Sequence, residues 1–352
     1  MARQRGQNRW MSKSPPAKSR ALGKVTLADV AARAGVAPMT VSRAINQPEL
    51  VSPPLRERIE QAVQELAYVP NRAARALASA QSNVIVVLVP SLSNAVFSAV
   101  LAGIQDAVDP GNYQILIGNT RYSDQQEEKL LATYMQSNPD GILLSGLKHS
   151  DAVHRMLASS RVPVVSMMDL SPDPQRMSVG FSQIEAGYAM TRYLLGKGRR
   201  RIGYMGAQLD ERTLQRAEGY RKALQEAGLA DSRLEMMVPE PSTIALGAEL
   251  LGRMLERTPE LDAIFCCNDD LAHGAIYQCQ RRGIAVPERL AICGFNDLPA
   301  SAWMKPSVTT IGTPLHRIGY EAATLLLARI RGTPVTGQCI DLGFTLLARE
   351  SA

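Results

Sequence analysis

The sequence lacks the features that would hold a protein in a membrane or carry it across one. No apolar run in the 352 residues approaches the roughly eighteen residues that a membrane-spanning helix needs. The early arginines are not followed by an apolar segment, which argues against a secretory signal peptide. A basic amphipathic helix with large apolar side chains is also missing, so a membrane surface is not an expected partner. We expect a cytoplasmic protein.

Cysteines and the common catalytic motifs are scarce as well. The five cysteines are odd in number and form no CxxC pair, so buried reduced thiols are expected rather than a zinc site. A nucleophile elbow, a P-loop and a GxGxxG fingerprint are all missing. We therefore expect no cofactor, no metal and no catalytic residue.

Positive charge is concentrated near the amino terminus. The formal net charge is +6, but residues 1–83 contain 13 lysines and arginines against 5 acids, which leaves the remainder slightly acidic. Residues 1–24 hold seven basic residues and no acid, so we expect a disordered basic arm there. A basic amino-terminal region favours a phosphate backbone over an acidic small molecule as its partner.

Two short helices joined by a glycine are predicted within residues 26–46. The first has an apolar face at helical spacing, made of Leu27, Val30, Ala31 and Ala34. Gly35 supplies the left-handed position that ends it, and Pro38 suits the first turn of the second helix. That helix leaves one face for other contacts: Met39, Thr40, Ser42 and Arg43. This pattern predicts a helix-turn-helix, whose second helix enters the major groove. An ordinary helical hairpin is the alternative.

A third helix follows at about residues 53–66. Ser52 can cap it, Pro53 sits in its first turn, and Ile59, Val63 and Leu66 form a stripe that can pack on the first two helices. We therefore expect one small all-helical domain over residues 25–70.

This region closely resembles the headpiece of the LacI/GalR repressor family. The segments that carry the resemblance are 26–31, Val36, 40–43, Asn46, 51–52 and 68–71. The resemblance implies DNA binding by residues of the headpiece and of the segment after it: Thr26, Ala28, Pro38, Met39, Thr40, Ser42, Arg43, Asn46, Asn71, Ala74 and Leu77.

Residues 71–83 are expected to connect the headpiece to the rest of the chain. The segment 71–79 is rich in alanine but too short to be a stable isolated helix, so it could be a plain linker. The resemblance implies instead a hinge helix that orders on DNA, with Ala74 where two hinge helices meet and Leu77 as a wedge in the minor groove. Such a wedge costs a few kcal/mol of unstacking, and the bent DNA makes further contacts in return.

From Val84 the pattern changes to alternating strands and helices, which predicts an α/β fold of parallel sheets covered by helices. The strands are too many for one small sheet, so two doubly wound lobes are expected. The resemblance implies a bilobed core like that of periplasmic sugar-binding proteins. We expect an N-lobe at about 84–181 and 314–338, and a C-lobe at about 182–313 and 339–350, with one last strand near 340–346.

Ligands of such sheets bind beyond the carboxyl ends of the strands. By the resemblance, Arg216 holds the effector, Asp169, Asn268 and Asn296 make its other polar contacts, and Phe97 forms a wall. With further residues that follow strands, the predicted effector site is Ser91, Phe97, Lys148, His149, Asp169, Arg212, Arg216, Asn268 and Asn296. Two residues have plain alternatives: Arg212 can pair with Glu211, and His149 can be a solvated loop residue.

One departure from the family pattern concerns the charge of this site. The family usually has an aspartate where this chain has Asn296, and an amide can hydrogen-bond an anion that a buried carboxylate would repel. We therefore expect an acidic sugar. The segments 209–213 and 341–346 most resemble the members of the family that regulate gluconate utilisation. Gluconate fits this chemistry, as do 6-phosphogluconate, ketogluconates and idonate.

These observations predict a homodimeric repressor that binds a palindromic double-stranded operator and is released by a gluconate-like effector. A sugar-modifying enzyme, with Asp169 and Glu211 as acid and base, is the second hypothesis. The third is a transport-associated binding protein, which the basic amino-terminal region and the missing signal peptide both oppose.

Overall fold

The computed structural model describes residues 25–69, 81–111, 113–334 and 338–352. It divides into two compact units, residues 1–78 and residues 79–352. The predicted arm at 1–24 and the predicted hinge residues Asn71, Ala74 and Leu77 lie outside the described residues, so those predictions stay predictions.

The first unit, which we call the headpiece, is built from three helices. They are α1 (Leu27–Ala34), α2 (Pro38–Asn46) and α3 (Pro53–Glu65). A capping box begins α1, in which the Thr26 side chain accepts from the backbone of Asp29 and the Asp29 side chain accepts from the backbone of Thr26. Gly35, with φ of 66°, ends α1 as predicted. Ser52 precedes α3 but makes no side-chain capping bond, contrary to the prediction.

The apolar faces of the three helices meet in one small core. Its buried members are Val30, Ala31, Ala34, Val41, Ala44, Val51, Ile59, Ala62 and Tyr68. Because the helices are short, this shared burial rather than helix propensity stabilises them.

The second unit contains two six-stranded sheets, and we call each sheet with its helices a lobe. The first-lobe strands are β1 (Val84–Val89), β2 (Gln114–Asn119), β3 (Gly141–Ser145), β4 (Val164–Met168), β5 (Met177–Gly180) and β11 (Cys339–Asp341), in the order β11-β5-β4-β3-β1-β2. All of their pairings are parallel. Its helices are α4 (Ala95–Val108), α5 (Asp124–Met135), α6 (Asp151–Ser160) and α11 (Leu315–Ile330).

The second lobe repeats this plan. Its strands are β6 (Ile202–Ala207), β7 (Glu235–Val238), β8 (Ala263–Cys266), β9 (Ala291–Asn296), β10 (Thr309–Gly312) and β12 (Thr345–Leu347), in the order β12-β10-β9-β8-β6-β7. Only the β10–β12 pairing is antiparallel among the described strands. Its helices are α7 (Gln183–Gly196), α8 (Glu211–Glu226), α9 (Ile244–Arg257) and α10 (Asp269–Arg282).

The central strands β6 and β8 are buried along their whole length and β1 is buried except at Val84, as expected of parallel strands covered on both faces. The helix α11 packs closely against α4. A Cβ on Gly103 would lie 1.9 Å from the carbonyl oxygen of His316, so only glycine allows these helices to approach this far.

The carboxyl-terminal segment differs from the prediction. One strand was expected near 340–346, but the structure has two short strands, β11 in the first sheet and β12 in the second. The chain therefore passes from the first lobe back to the second after Asp341, rather than near residue 338 where the predicted N-lobe ends. Gly343, with φ of 64°, lies in the turn between the two strands, which a sequence pattern of alternating residues does not reveal.

The thiols follow the prediction except at one position. Cys266, Cys267, Cys279 and Cys293 are buried, whereas Cys339 is exposed because β11 lies at the edge of its sheet. Burial raises the pKa of the Cys267 thiol to about 11. Among the helices of the described residues, none is long and apolar enough to cross a membrane.

Candidate functional site

The headpiece presents one face of α2 to solvent. Val41 and Ala44 point into the core, while Pro38, Met39, Arg43 and Asn46 are exposed. Met39 is 71 % exposed although it is apolar. Within the described residues Arg43 forms no ion pair, so its charge remains available. We call Met39, Arg43 and Asn46 the recognition face.

The remaining predicted contact residues of the headpiece surround this face. Thr26 and Ala28 are exposed at the start of α1, and Thr40 and Ser42 are half-buried on α2. The Asn46 amide donates to the carbonyl oxygen of Ser42 at 2.8 Å, which fixes its orientation at the end of the helix. An exposed cation beside apolar surface on a short helix is suited to base edges and phosphates in a major groove.

A second site lies between the two lobes, beyond the carboxyl ends of β1, β6, β8 and β9. It is a cleft of about 540 Å³, a size typical of small-molecule sites. The predicted residues that line it are Ser91, Phe97, Arg212, Arg216, Asn268 and Asn296.

Arg216 is the most firmly held of these side chains. It is buried, its Nε donates to Gln183 Oε1 at 2.8 Å, and its Nη1 donates to the carbonyl oxygen of Cys267 at 2.6 Å. The guanidinium carbon lies 3.7 Å from the centre of the Phe295 ring. Burial lowers the pKa of Arg216 from its ordinary value. The side chain is therefore preorganised for a bound anion.

Arg212 connects the two lobes. Its Nη2 donates to Asp210 Oδ2 at 2.6 Å, and its Nη1 donates to Ser145 Oγ of the first lobe at 3.4 Å. Its guanidinium also lies 5.3 Å from the centre of the Phe97 ring. Burial opposes ionisation of Asp210, but Arg212 outweighs it and lowers the pKa of this carboxyl to about 2. The alternative pairing of Arg212 with Glu211 is not found, because Arg212 bonds to Asp210 instead.

Two buried oxygen atoms have no hydrogen-bond partner among the described residues, Oδ1 of Asn296 and Oδ1 of Asp169. Asn296 lines the cleft, whereas Asp169 does not, contrary to the prediction; it lies directly behind the lining, after Met168, where Arg212 and Arg216 act on its carboxyl. Burial raises the pKa of Asp169 to about 6, against the opposing effect of Arg212 and Arg216. Asn296 has φ of 103°, an unusual conformation for a residue with a side chain. An unpaired buried acceptor is costly, so both atoms are suited to a ligand that donates hydrogen bonds.

Lys148 and His149 do not line the cleft, contrary to the prediction. Lys148 has an 81 % exposed side chain, 3.9 Å from Glu211, and His149 is buried with its Nδ1 3.0 Å from Glu127. Gly146, with φ of 90°, turns the chain after β3, so the residues beyond it leave the cleft. A rule based on strand ends gives the position of a residue but not the direction of the following loop.

The prediction also missed residues that do line the cleft. Those beyond the two edge strands β2 and β7 are Arg121, Tyr122, Ser242 and Thr243, and Gln208 and Asp270 lie beyond β6 and β8. Their position after strands is the signal that identifies them, and at β2 and β7 it applies to edge strands as well as to central ones. Asn268 caps α10, and its Oδ1 accepts from Leu271 and from the Ser242 hydroxyl.

Comparison with known proteins gives two family matches. Residues 26–71 match the family described as bacterial regulatory proteins, lacI family. Residues 191–352 match the periplasmic binding protein-like domain. The first match covers the headpiece and the second covers most of the second lobe.

Similar proteins extend over nearly the whole chain. The HTH-type transcriptional regulator GntR of Pseudomonas aeruginosa is 48 % identical and covers 95 % of this chain and 97 % of its own. The crystal structure of transcription regulator GntR from Chromobacterium violaceum has 51 % identity and a TM-score of 0.75, covering 76 % and 98 %. The lac repressor dimer bound to operator and the anti-inducer ONPF has 25 % identity and a TM-score of 0.83, covering 93 % and 99 %.

Proposed function

Because the chain belongs to the LacI family of bacterial regulatory proteins and is a helix-turn-helix transcriptional regulator rather than an enzyme, we propose that it is a cytoplasmic repressor controlled by a sugar acid. Gluconate is the proposed effector, and it binds the cleft between the lobes. Binding releases the headpiece from its operator.

One observation carries the choice of effector: two unpaired buried oxygens, one on a lining residue and one directly behind the lining, accompany two buried guanidinium groups at the cleft. Asp169 and Asn296 supply acceptors that call for hydroxyl donors, and Arg212 and Arg216 favour a carboxylate. A neutral sugar provides only the hydroxyls, and a simple carboxylate provides only the charge. A polyhydroxy acid such as gluconate provides both.

On the DNA side, the recognition face enters the major groove of a palindromic operator. Arg43 contacts base edges or phosphate, and Met39 supplies apolar contact to bases. The family resemblance adds Leu77 as a wedge at the centre of the site. An apolar wedge in the minor groove unstacks a base step at a cost in free energy, and the additional protein contacts of the bent DNA offset this cost.

A homodimer would present two headpieces to the two half-sites. Exposed apolar side chains on the second lobe support this assembly, since Trp303 is 90 % and Tyr277 is 43 % exposed. They lie on neighbouring segments, because His273 of α10 bonds to the hydroxyl of Ser301 at 2.9 Å. A ligand that closes the cleft moves one lobe relative to the other, and Arg212 already contacts both.

The test is a gel-shift titration with a duplex that the wild-type protein selects from a random pool. Gluconate is expected to release this duplex, whereas glucose, which has no carboxylate, is not. In Arg216→Gln the duplex should still bind within about twofold. The gluconate concentration needed for release should rise at least about thirtyfold, because charge-assisted bonds to the effector are lost.

The matched control is Arg221→Gln, which removes a charge from the same helix. Arg221 pairs with Glu235 outside the cleft, so this variant should respond as the wild type does. Release by glucose at the same concentration, or a normal response of Arg216→Gln, would contradict the proposed site.

A further inference from the structure

The first lobe contains a second cavity, which we call the lateral groove. Its volume is about 790 Å³, and its lining shares no described residue with the effector cleft. The topology explains it. The helix α6 covers the sheet between β3 and β4, but residues 169–176 join β4 to β5 without a helix. One face of β4 and β5 is therefore left open beside α6.

The floor of the lateral groove is apolar. Its side chains come from β3, β4, β5 and α6 and the turns beside them: Leu144, Leu147, Leu157, Val162, Val164 and Met177. A cavity of this size with an apolar floor matches sites that bury most of an organic molecule rather than a lone inorganic ion.

One end of the groove is lined by three arginines. Arg161 directly precedes the segment leading to β4, Arg176 precedes β5, and Arg329 lies in the last turn of α11. Since β4 and β5 are parallel, the residues before them lie at the same edge of the sheet. The side chains of Arg161 and Arg329 have no hydrogen bond or ion pair within the described residues, and Nε of Arg176 lies 3.6 Å from Oδ2 of Asp173.

The acidic residue in the lining, Asp140, forms no ion pair with these arginines among the described residues. Asp140 accepts from the backbone of Ser82 at 3.0 Å, from the Ser82 hydroxyl at 3.1 Å, and from the backbone of Asn83 at 2.8 Å. Its oxygens are already committed to the segment that begins β1. Three arginines face two carboxylates, Asp140 and Asp173, so this end of the groove keeps a net positive charge, and the guanidinium groups of Arg161 and Arg329 have no ion pair within the described residues.

The lining also includes a buried polar atom without a partner. The side chain of His149 is only 5 % exposed, and its Nδ1 lies 3.1 and 3.0 Å from the two carboxylate oxygens of Glu127. Its Nε2 is buried and has no hydrogen-bond partner in the described residues. The His154 ring packs edge-on at 6.0 Å and also lines the groove. An unpaired buried nitrogen of this kind calls for a polar ligand atom.

We propose that the lateral groove is a second ligand site, for a small organic anion with an apolar body. The anionic group binds Arg161 and Arg329, the body lies on the apolar floor, and a polar atom at the other end bonds to His149. Ser166 and Gln175 also line the groove, but its six apolar floor residues would leave most hydroxyls of a polyhydroxy acid without partners. This ligand therefore differs in class from the polyhydroxy acid of the cleft.

Two fluorescent probes of nearly the same shape test the site on the full chain. Anilinonaphthalene sulfonate is an aromatic anion, and N-phenylnaphthylamine has the same rings without the sulfonate. The sulfonate probe is expected to bind saturably. In Arg161→Gln/Arg329→Gln its affinity should fall about tenfold or more, because two charge-assisted contacts are lost. The affinity for the neutral probe should change less than about twofold. Both arginines are exposed, so the fold is not at risk.

Arg155→Gln/Arg192→Gln is the matched control, since both residues are exposed on helices of the second unit, α6 and α7, and lie outside the groove lining. It removes the same charge and should leave both probes unaffected. Addition of gluconate should not displace the sulfonate probe. An unchanged sulfonate affinity in the groove variant, displacement by gluconate, or the absence of saturable binding would each overturn the proposal.

Discussion

The headpiece and the effector cleft use charged residues in opposite ways. On the headpiece, Arg43 is exposed and has no ion-pair partner in the described residues. In the cleft, Arg212 and Arg216 are buried, and protein groups already hold their guanidinium nitrogens. An exposed cation suits a long polyanion that is bound in competition with salt. A buried and oriented cation suits one small molecule of fixed shape.

The two regions also differ in how much core supports them. The headpiece has one small apolar cluster from three helices, whereas the second unit has extensive buried clusters against two sheets. A domain of the headpiece's size rarely has more than about 3–5 kcal/mol of stability from its core. The comparison therefore predicts that DNA binding is the more easily lost of the two activities.

The largest effect is expected for Ile59→Ala. Ile59 is 1 % exposed in the headpiece core, and truncating a buried isoleucine costs about 2–5 kcal/mol. Most of the headpiece should unfold, so affinity for the selected duplex in a gel shift should fall more than about a hundredfold. Gluconate binding, measured by calorimetry, should change less than about twofold, because the second unit keeps its own core.

Leu50→Ala is the control for this prediction, because Leu50 is in the headpiece but 63 % exposed. It should bind the duplex with nearly wild-type affinity. If Ile59→Ala also abolished gluconate binding, the two regions would not be independent in stability, and the comparison would fail.

The second prediction concerns a substitution in the second unit that leaves the headpiece unchanged but should weaken DNA binding. Trp303→Ala should weaken the proposed dimer at least about thirtyfold, as truncation of a central interface tryptophan typically does. Analytical ultracentrifugation measures this change. Duplex affinity should fall with it, because a monomer presents one headpiece. Trp303→Phe keeps an aromatic ring and should retain most of the dimer. A dimer that tolerates Trp303→Ala would place the interface elsewhere.

The sequence predicted the headpiece more completely than the cleft, for physical reasons. Capping residues and a helical repeat are local signals, and Thr26, Gly35 and Pro38 mark the ends of helices directly. The cleft depends on loops whose direction is set by tertiary structure. Gly146 turns Lys148 and His149 away from it, and the end of the edge strand β2 brings in Arg121. The alternation of strands and helices along the sequence indicates neither the direction of the loop after Gly146 nor the position of Arg121.

The third prediction concerns the availability of charge on the headpiece. Arg43→Ala should weaken binding to the selected duplex about tenfold and should reduce the salt dependence of binding, because a contact to bases or phosphate is lost. Arg33→Ala removes the same charge from the headpiece, but Arg33 is paired with Glu65. It should cost less than about threefold. Equal losses in gel shifts would indicate that only net charge matters and that the recognition face has no special role.

The smallest effect is expected from the pH dependence of the cleft. Burial raises the pKa of Asp169 from 3.8 to about 6. The stability that this group contributes is therefore fully present below about pH 4 and is lost as the pH rises through about 6. Arg212 and Arg216 favour the ionised form of Asp169. Because a bound carboxylate would offset their positive charge, gluconate binding should raise the pKa of Asp169 further and be accompanied by proton uptake. Gluconate affinity should consequently fall as the pH rises.

Between pH 5.5 and 7.5 the expected loss of gluconate affinity is about fivefold, and calorimetry in two buffers of different ionisation enthalpy would detect the proton uptake. Asp169→Asn should make the affinity nearly independent of pH. Asp269→Asn is the control that separates an effect on gluconate binding from an effect on stability, because burial raises the pKa of Asp269 to about 6 as well. Its carboxylate bonds to Thr310 and to the backbone of Leu298, whereas the carboxyl of Asp169 has an unpaired oxygen and is acted on by the cleft residues Arg212 and Arg216. Asp269→Asn should therefore alter the pH dependence of unfolding and leave the pH dependence of gluconate binding unchanged. If both variants changed the pH dependence of gluconate binding equally, protonation of Asp169 would not be its cause.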